Sequence, residues 1–240
     1  MNDLLSMSFW TTLGVILAFI LNLLVYWRNW RKLKPFSKPL AMITIILWTL
    51  SLVEWQVDWE LTLLILAQSF CLAGDIFLLL PEWGFMVGLA AFLVGHLFYL
   101  GLVASIFFSG LESGAIESLS PLLLIVGVIG LGVVIMVFLR VFKPALNAKG
   151  SSSKIWLAVQ VYAFVLSTMM IATFVLVLAR SGLTWQSLLV PLGGVLFFAS
   201  DFMLAYDRFV KKNVLLRLLV WISYHLAQIC LAIGFAAMIA

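Results

Sequence analysis

The stretch Pro121-Leu122-Leu123-Leu124-Ile125-Val126-Gly127-Val128-Ile129-Gly130-Leu131-Gly132-Val133-Val134-Ile135-Met136-Val137-Phe138-Leu139 carries no charge and no hydrogen-bonding side chain. Its apolar residues run on without alternation, so it does not read as a half-buried strand, and its length suits a helix crossing a hydrocarbon layer of about 30 Å. Working outward, the whole chain divides into stretches of this kind. Eight spans are expected, near Met7–Tyr26, Leu40–Val57, Leu61–Leu80, Gly84–Phe108, Leu119–Phe142, Ile155–Ala179, Thr184–Tyr206 and Val214–Ile239. Inside lipid every backbone N–H and C=O must find an internal partner, which leaves helices or closed barrels, and unbroken apolar runs favour helices. The expected class is therefore all-α: a polytopic membrane protein of eight transmembrane helices forming one domain over 1–240. Composition agrees, with 65% hydrophobic and 10% charged residues and a mean hydropathy of +1.21. A soluble domain carries about 45–50% apolar and about 25% charged residues. The first span lacks a basic leader and is longer than a signal-peptide core, so it is expected to stay as a helix. Cys71 and Cys230 both fall in apolar runs, which argues against a structural disulfide.

Charge gives the orientation. Arg28, Arg31, Lys32, Lys34, Lys38, Arg140, Lys143, Lys149, Lys154, Arg208, Lys211, Lys212 and Arg217 fall on the odd-numbered loops and their helix ends. Arg180 lies on the opposite side, with Asp3, Glu54, Asp58, Glu60, Glu112 and Glu117. Basic loops stay in the cytoplasm, so both termini are expected on the non-cytoplasmic side. The membrane would be the bacterial cytoplasmic membrane, or the endoplasmic reticulum in a eukaryote. The net charge of +4 is this loop bias, suited to anionic lipid heads, and not a nucleic-acid footprint. Trp10, Trp27, Trp30, Trp55, Trp59, Trp83, Trp156 and Trp185 sit near span ends, as an interfacial belt does. The longest connection, Lys143–Lys154, ends in Gly150-Ser151-Ser152-Ser153 and reads as a flexible link between two halves, about 1–110 and 115–240. Ala73-Gly74-Asp75-Ile76-Phe77-Leu78 is similar to Ala199-Ser200-Asp201-Phe202-Met203-Leu204, and a histidine follows each, at His96 and His225. A parallel 4+4 internal repeat would produce this.

Asp75 and Asp201 are the two acids inside expected spans. Such a residue costs at least ~2.5–3.5 kcal/mol on insertion scales, faces the bundle interior, and is a functional candidate. Each stands five residues before the end of its expected span, about 8 Å inside the cytoplasmic boundary. The plain alternative is that each aspartate ties helices together by hydrogen bonds. Asn22, His96, Tyr99, Gln160, Tyr162, Ser200, Tyr224, His225 and Gln228 are further polar groups at similar levels, and each alone reads as packing before chemistry. His96 with Tyr99, and Tyr224 with Gln228, share helix faces by their spacing. The GxxxG at Gly84 and Gly88 reads as close helix packing. No P-loop, CxxC, HExxH or serine elbow occurs, and no ligand spacing supports a metal, so no metal or organic cofactor is expected.

Gly74-Asp75-Ile76-Phe77-Leu78-Leu79-Leu80-Pro81 and Phe85-Met86-Val87-Gly88-Leu89-Ala90-Ala91-Phe92-Leu93-Val94-Gly95-His96-Leu97-Phe98-Tyr99 resemble motifs of the YhhN family. So do Gly194-Val195-Leu196-Phe197-Phe198-Ala199-Ser200-Asp201 and Tyr224-His225-Leu226-Ala227-Gln228. The family includes lysoplasmalogenases, which hydrolyse the sn-1 vinyl ether of lysoplasmalogens to a fatty aldehyde and a glycerophospho-ethanolamine or -choline. The resemblance implies that Asp75 and Asp201 are catalytic, with His96 matching the family's histidine. Asn22, Tyr99, Tyr162, Ser200, Tyr224 and Gln228 are then expected in substrate-binding or supporting roles. The partners implied are a lysophospholipid and the surrounding membrane lipids. Vinyl ether hydrolysis needs a carboxylic acid to protonate carbon and a carboxylate to steady the cation and activate water. Paired intramembrane acids in a parallel repeat also suit a proton-coupled transporter of small molecules or lipids. An intramembrane aspartyl protease fits less well, because Leu72-Ala73-Gly74 replaces the Gly-x-Gly before its aspartate.

Overall fold

The computed structural model describes residues 2–28, 30, 32–55, 57–116, 121–148 and 153–239, with the side chains of 2–8, 26–27, 34, 82 and 153–154 left aside. Among them are eight α-helices and no strand: α1 (Asn2–Trp27), α2 (Lys34–Leu52), α3 (Trp59–Phe77), α4 (Glu82–Glu112), α5 (Pro121–Ala148), α6 (Ser153–Ala179), α7 (Leu189–Phe209) and α8 (Val214–Ile239). Seven of these, α2 to α8, are long and apolar enough to cross a membrane. Helix α1 has 26 residues, and its apolar stretch runs from Phe9 to Val25. The chain is thus an all-helical, multi-pass integral membrane protein. Arg31, Glu117, Lys149 and the Gly150-Ser151-Ser152 link lie outside the described residues. The ends of the first expected span, Met7 and Tyr26, are also there as far as their side chains go.

Helix α5 shows what solvent the fold is built for. It is the most apolar of the seven spans and the least buried, and within it only Phe138, Phe142 and Leu146 are buried. Leu122, Val128 and Ile129 are more than half exposed. In water such a surface would drive aggregation; against acyl chains it is matched. Trp10, Trp30, Trp55, Trp59, Trp83 and Trp185 are exposed near helix ends, as interfacial rings should be.

Several helix boundaries differ from the sequence expectation. Helix α2 begins at Lys34, six residues before the expected Leu40, with Pro35 and Pro39 both in its first turns. At Pro35, the second helical position, proline needs no N–H partner and its fixed φ already suits a helix, whereas Pro39 lies inside the helix and forgoes one backbone bond. The same helix stops at Leu52, short of Val57, where Glu54 and Trp55 turn into the left-handed region with φ of 52° and 62°. The Trp55 N–H bonds back to the Leu50 carbonyl at 3.1 Å, which closes the helix end. Helix α3 stops at Phe77 instead of Leu80. Helix α7 runs from Leu189 to Phe209, later at both ends than Thr184–Tyr206. Asp75 is therefore in the last turn of α3, whereas Asp201 stands about two turns before the end of α7, and the equal spacing from helix ends expected for them is not kept.

The chain forms two compact units, 1–102 with 232–240, and 103–231. In the first, α3 and α4 approach closely through glycine. A Cβ on Gly84 would lie 2.4 Å from the Phe77 carbonyl oxygen, and one on Gly88 would lie 3.2 Å from that of Gly74. One on Gly95 would lie 3.1 Å from that of Ala67. The GxxxG pair is thus the start of a longer contact stripe. In the second unit, Phe138 and Phe142 of α5 pack with Phe202 of α7, the ring centroids of Phe142 and Phe202 being 5.2 Å apart. Gly193 of α7 meets Leu231 and Ala227 of α8.

Candidate functional site

Helix α3 buries one face: Leu61, Leu64, Ala67, Gln68, Cys71, Gly74 and Asp75. Spacings of three and four make this a single stripe, and the stripe delivers Asp75 to the interior, where it is fully buried. A carboxylate there has two things against it. It is out of water, and the unpaired carbonyls of a helix C-terminus carry partial negative charge. Lys38 answers both, with Nζ 2.5 Å from Asp75 Oδ1 and a side chain only 15% exposed. Lys38 reaches it from α2, seven residues before Ile45 and four before Met42, both buried. It therefore belongs to α2's inward face. The residue before it, Ser37, donates to Asn22 Oδ1 of α1 at 3.3 Å. Asn22 is fully buried, and among the described residues its Nδ2 has no hydrogen-bond partner. Further along the same helix pair, Gln68 Nε2 donates to Thr49 Oγ1 at 3.0 Å. His96 and Tyr99 are both fully buried on α4, and the Tyr99 ring stacks with Phe235 at 6.2 Å.

The second unit holds the other buried aspartate. Helix α7 buries Val190, Pro191, Gly193, Gly194, Phe197, Ser200 and Asp201. Buried positions at the same spacing before Asp75 on α3 are Leu64, Ala67, Gln68, Cys71 and Gly74. Asp201 is 7% exposed, and the Tyr162 phenol of α6 donates a short hydrogen bond to its Oδ2. Tyr162 comes from an inward stripe that includes Val159, Ala163 and Leu166. Ser200, expected as a supporting residue, donates its hydroxyl to the Val220 carbonyl of α8 at 3.1 Å and so ties two helices together. Tyr224 is buried with its ring edge-on to Phe197, and Gln228 is buried on the same helix. His225 Nδ1 sits 2.9 Å from the Trp221 carbonyl. A carbonyl only accepts, so that nitrogen carries the ring proton. Among the described residues no three His, Cys, Asp or Glu side chains converge as metal ligands.

In each unit, then, an aspartate on the inward stripe is held by one polar side chain of the preceding helix, Lys38 in one and Tyr162 in the other. The sequence points to Tyr162 as a polar group at depth, whereas Lys38 reads there as a loop charge. The signal that finds Lys38 is Pro35, which marks a helix start just before it, together with its spacing to Met42 and Ile45.

Comparison with known proteins extends these observations. The lysoplasmalogenases of Mycobacterium bovis and Mycobacterium tuberculosis are each 30% identical to this chain over 164 residues, 68% of this chain and 56% of the mycobacterial protein. The chain thus spans about half the length of these curated relatives. No solved structure matches it. The YhhN family model matches residues 33–235, a segment that holds both buried aspartates together with Lys38 and Tyr162, and this chain belongs to the YhhN family.

Proposed function

We propose that this protein is a lysoplasmalogenase-type hydrolase, cleaving the sn-1 vinyl ether of a lysoplasmalogen to a fatty aldehyde and a glycerophospho-ethanolamine or -choline. The observation that carries the reading is a buried carboxyl in each unit, each held by a polar side chain of another helix, in a YhhN-family chain. The name of the mycobacterial relatives supports the same substrate class. Vinyl ether hydrolysis asks for little more. One carboxylic acid protonates the vinyl carbon remote from oxygen, leaving an oxocarbenium ion. A carboxylate faces that charge and takes a proton from the attacking water, and the hemiacetal then breaks its bond to the glycerol oxygen. Asp75 and Asp201 fill these two roles, with no nucleophilic serine or cysteine in the scheme. Asn22 offers a buried amide donor to the lipid head or glycerol backbone, and the buried His96, Tyr99, Tyr224 and Gln228 take supporting roles. The bias of basic residues supports cytoplasmic odd-numbered loops and both termini on the far side.

The test is product chemistry with purified protein. A 1-alkenyl lysophospholipid should release aldehyde, and the 1-acyl and 1-alkyl analogues of equal chain length should stay intact. In deuterated water the aldehyde should carry one deuterium at its α-carbon. Asp75→Asn and Asp201→Asn should each lose about 10²–10⁴ in rate, and the double variant should be little worse than either, because residues acting as a unit are not additive. Fatty acid from the 1-acyl lipid, or aldehyde without the label, would overturn the reading.

A further inference from the structure

Helix α5 carries a feature that the hydrolysis scheme does not use. An open groove of about 570 Å³ runs along it from Gly132 to Pro144, within the range of clefts that hold a ligand, about 300–1,000 Å³. We propose that this groove binds one anionic phospholipid of the surrounding bilayer, with its phosphate on Arg140 and Lys143 and an acyl chain laid over Gly132, Ile135, Met136 and Leu139. The site lies within the second unit and stands whichever bond the protein cleaves.

Spacings of three and four along α5 put these six residues on one side of the helix, beside the face that packs through Phe138 and Phe142. Gly132 keeps the inner end of the groove open, since a Cβ there would meet nothing within 4 Å. Ile135, Met136 and Leu139 give it apolar walls. The two cations stand at the other end, and both are exposed. Neither makes an ion pair among the described residues, and no acidic residue lines the groove there. Two unopposed positive charges on one helix face favour a head of net negative charge over a zwitterionic one.

Depth selects a bilayer lipid over a dissolved anion. The uncharged run from Pro121 to Leu139 is about 28 Å long as a helix, close to a hydrocarbon thickness of about 30 Å. Arg140 and Lys143 follow directly on that run, so they stand where acyl chains give way to phosphates. From Gly132 to Lys143 the groove is about 16 Å long, roughly half the hydrocarbon thickness, which is the depth of one leaflet. A free phosphate would use the charged end and leave the apolar end unfilled. The proposed lysoplasmalogen also brings a phosphate, but its ammonium would face two further cations. Because α5 is the least buried of the seven spans, a bilayer lipid reaches the groove sideways, without entering the protein.

The test uses the full chain in phosphatidylcholine vesicles containing a trace of phosphatidylglycerol with a photoreactive diazirine in one acyl chain. After illumination, peptide mass spectrometry should find the label concentrated between Gly132 and Lys143. Unlabelled phosphatidylglycerol should displace it; extra phosphatidylcholine, or inorganic phosphate in the buffer, should not. Arg140→Gln and Lys143→Gln should each cut this label about fivefold, and together about 25-fold, whereas Arg140→Lys should keep most of it. Gly132→Leu fills the inner end with both charges intact and should cut the label too. Labelling of the other lipid-facing helices should stay as in the wild type, which checks that each variant is folded; if a variant aggregates, competition on the wild type decides alone. Label spread evenly over all exposed helices, equal competition by phosphatidylcholine, displacement by inorganic phosphate, or stronger displacement by a 1-alkenyl lysophospholipid than by phosphatidylglycerol overturns the proposal. So does an α5 left unlabelled because a second copy of the chain covers it.

Discussion

Replacing Tyr162 with phenylalanine removes one oxygen and leaves the ring in the stripe it shares with Val159, Ala163 and Leu166. What is lost is the hydrogen bond to Asp201 Oδ2. A hydrogen bond to a charged group contributes about 1.5–3 kcal/mol, and the low exposure of both partners leaves water little access to replace it. At about 1.4 kcal/mol per decade, that is roughly 10- to 150-fold. The phenol matters most when Asp201 has lost its proton, so the loss belongs in the transition state more than in substrate binding. Tyr162→Phe should therefore lower kcat by this factor with KM close to the wild type. Aldehyde release across a range of 1-alkenyl lysophospholipid concentrations separates the two constants, and a thermal-aggregation midpoint in detergent checks that the variant is folded. A folded variant with kcat within twofold of the wild type, or a loss confined to KM, refutes the reasoning.

Other expectations are more local. Gly95→Leu forces a side chain against the Ala67 carbonyl and Cys71 Sγ; it should cost about 1–3 kcal/mol or more of stability, read as a lowered melting midpoint, while Gly132→Ala, where a Cβ would meet nothing within 4 Å, should not lower it. Asn22→Leu deletes a buried amide donor that has no partner among the described residues; if a lipid head or backbone oxygen uses it, KM should rise about tenfold or more, and unchanged kinetics would exclude the contact. Glu54→Gly relieves a left-handed backbone and should stabilise by about 0.5–1 kcal/mol, net of the entropy glycine adds to the unfolded chain. Cysteines placed at Ser113 and Lys212 should label from opposite sides of the membrane; labelling from one side would refute the proposed topology.

The helical class and the two aspartates were legible because they depend on strong, local signals. Nineteen uncharged residues from Pro121 to Leu139 admit few structures, and a carboxyl in an apolar run has to face inward. Helix ends were harder, since apolarity continues past them. Nothing in Leu78-Leu79-Leu80 announces that α3 has stopped at Phe77; the turn is made by backbone bonds such as Leu80 N–H to the Phe77 carbonyl at 3.0 Å. The same difficulty hid Lys38. Charge counting assigns a basic residue to a loop, whereas the early start of α2 turns it inward. Tyr162 was visible as a polar residue at depth, but which acid it meets depends on helix packing that no local pattern encodes. Ser200 stood in a motif and proved to be a tie to Val220.

The Lys38–Asp75 pair has a bearing on how the chain enters the membrane in the first place. Helices α2 and α3 are the two least apolar of the seven spans, and each contributes one member of the Lys38–Asp75 ion pair. Released singly from a protein-conducting channel into lipid, each would meet an insertion cost of about 2.5–3.5 kcal/mol for that charge. Released as a hairpin, joined by the few residues between Leu52 and Trp59, they present a neutral pair. The newly made α2 therefore does best to linger at the channel until α3 emerges, so that during synthesis the two helices partition together as one step. A substitution at Lys38 or Asp75 would then show up early, as slow or inverted insertion of this hairpin, before any question of catalysis arises.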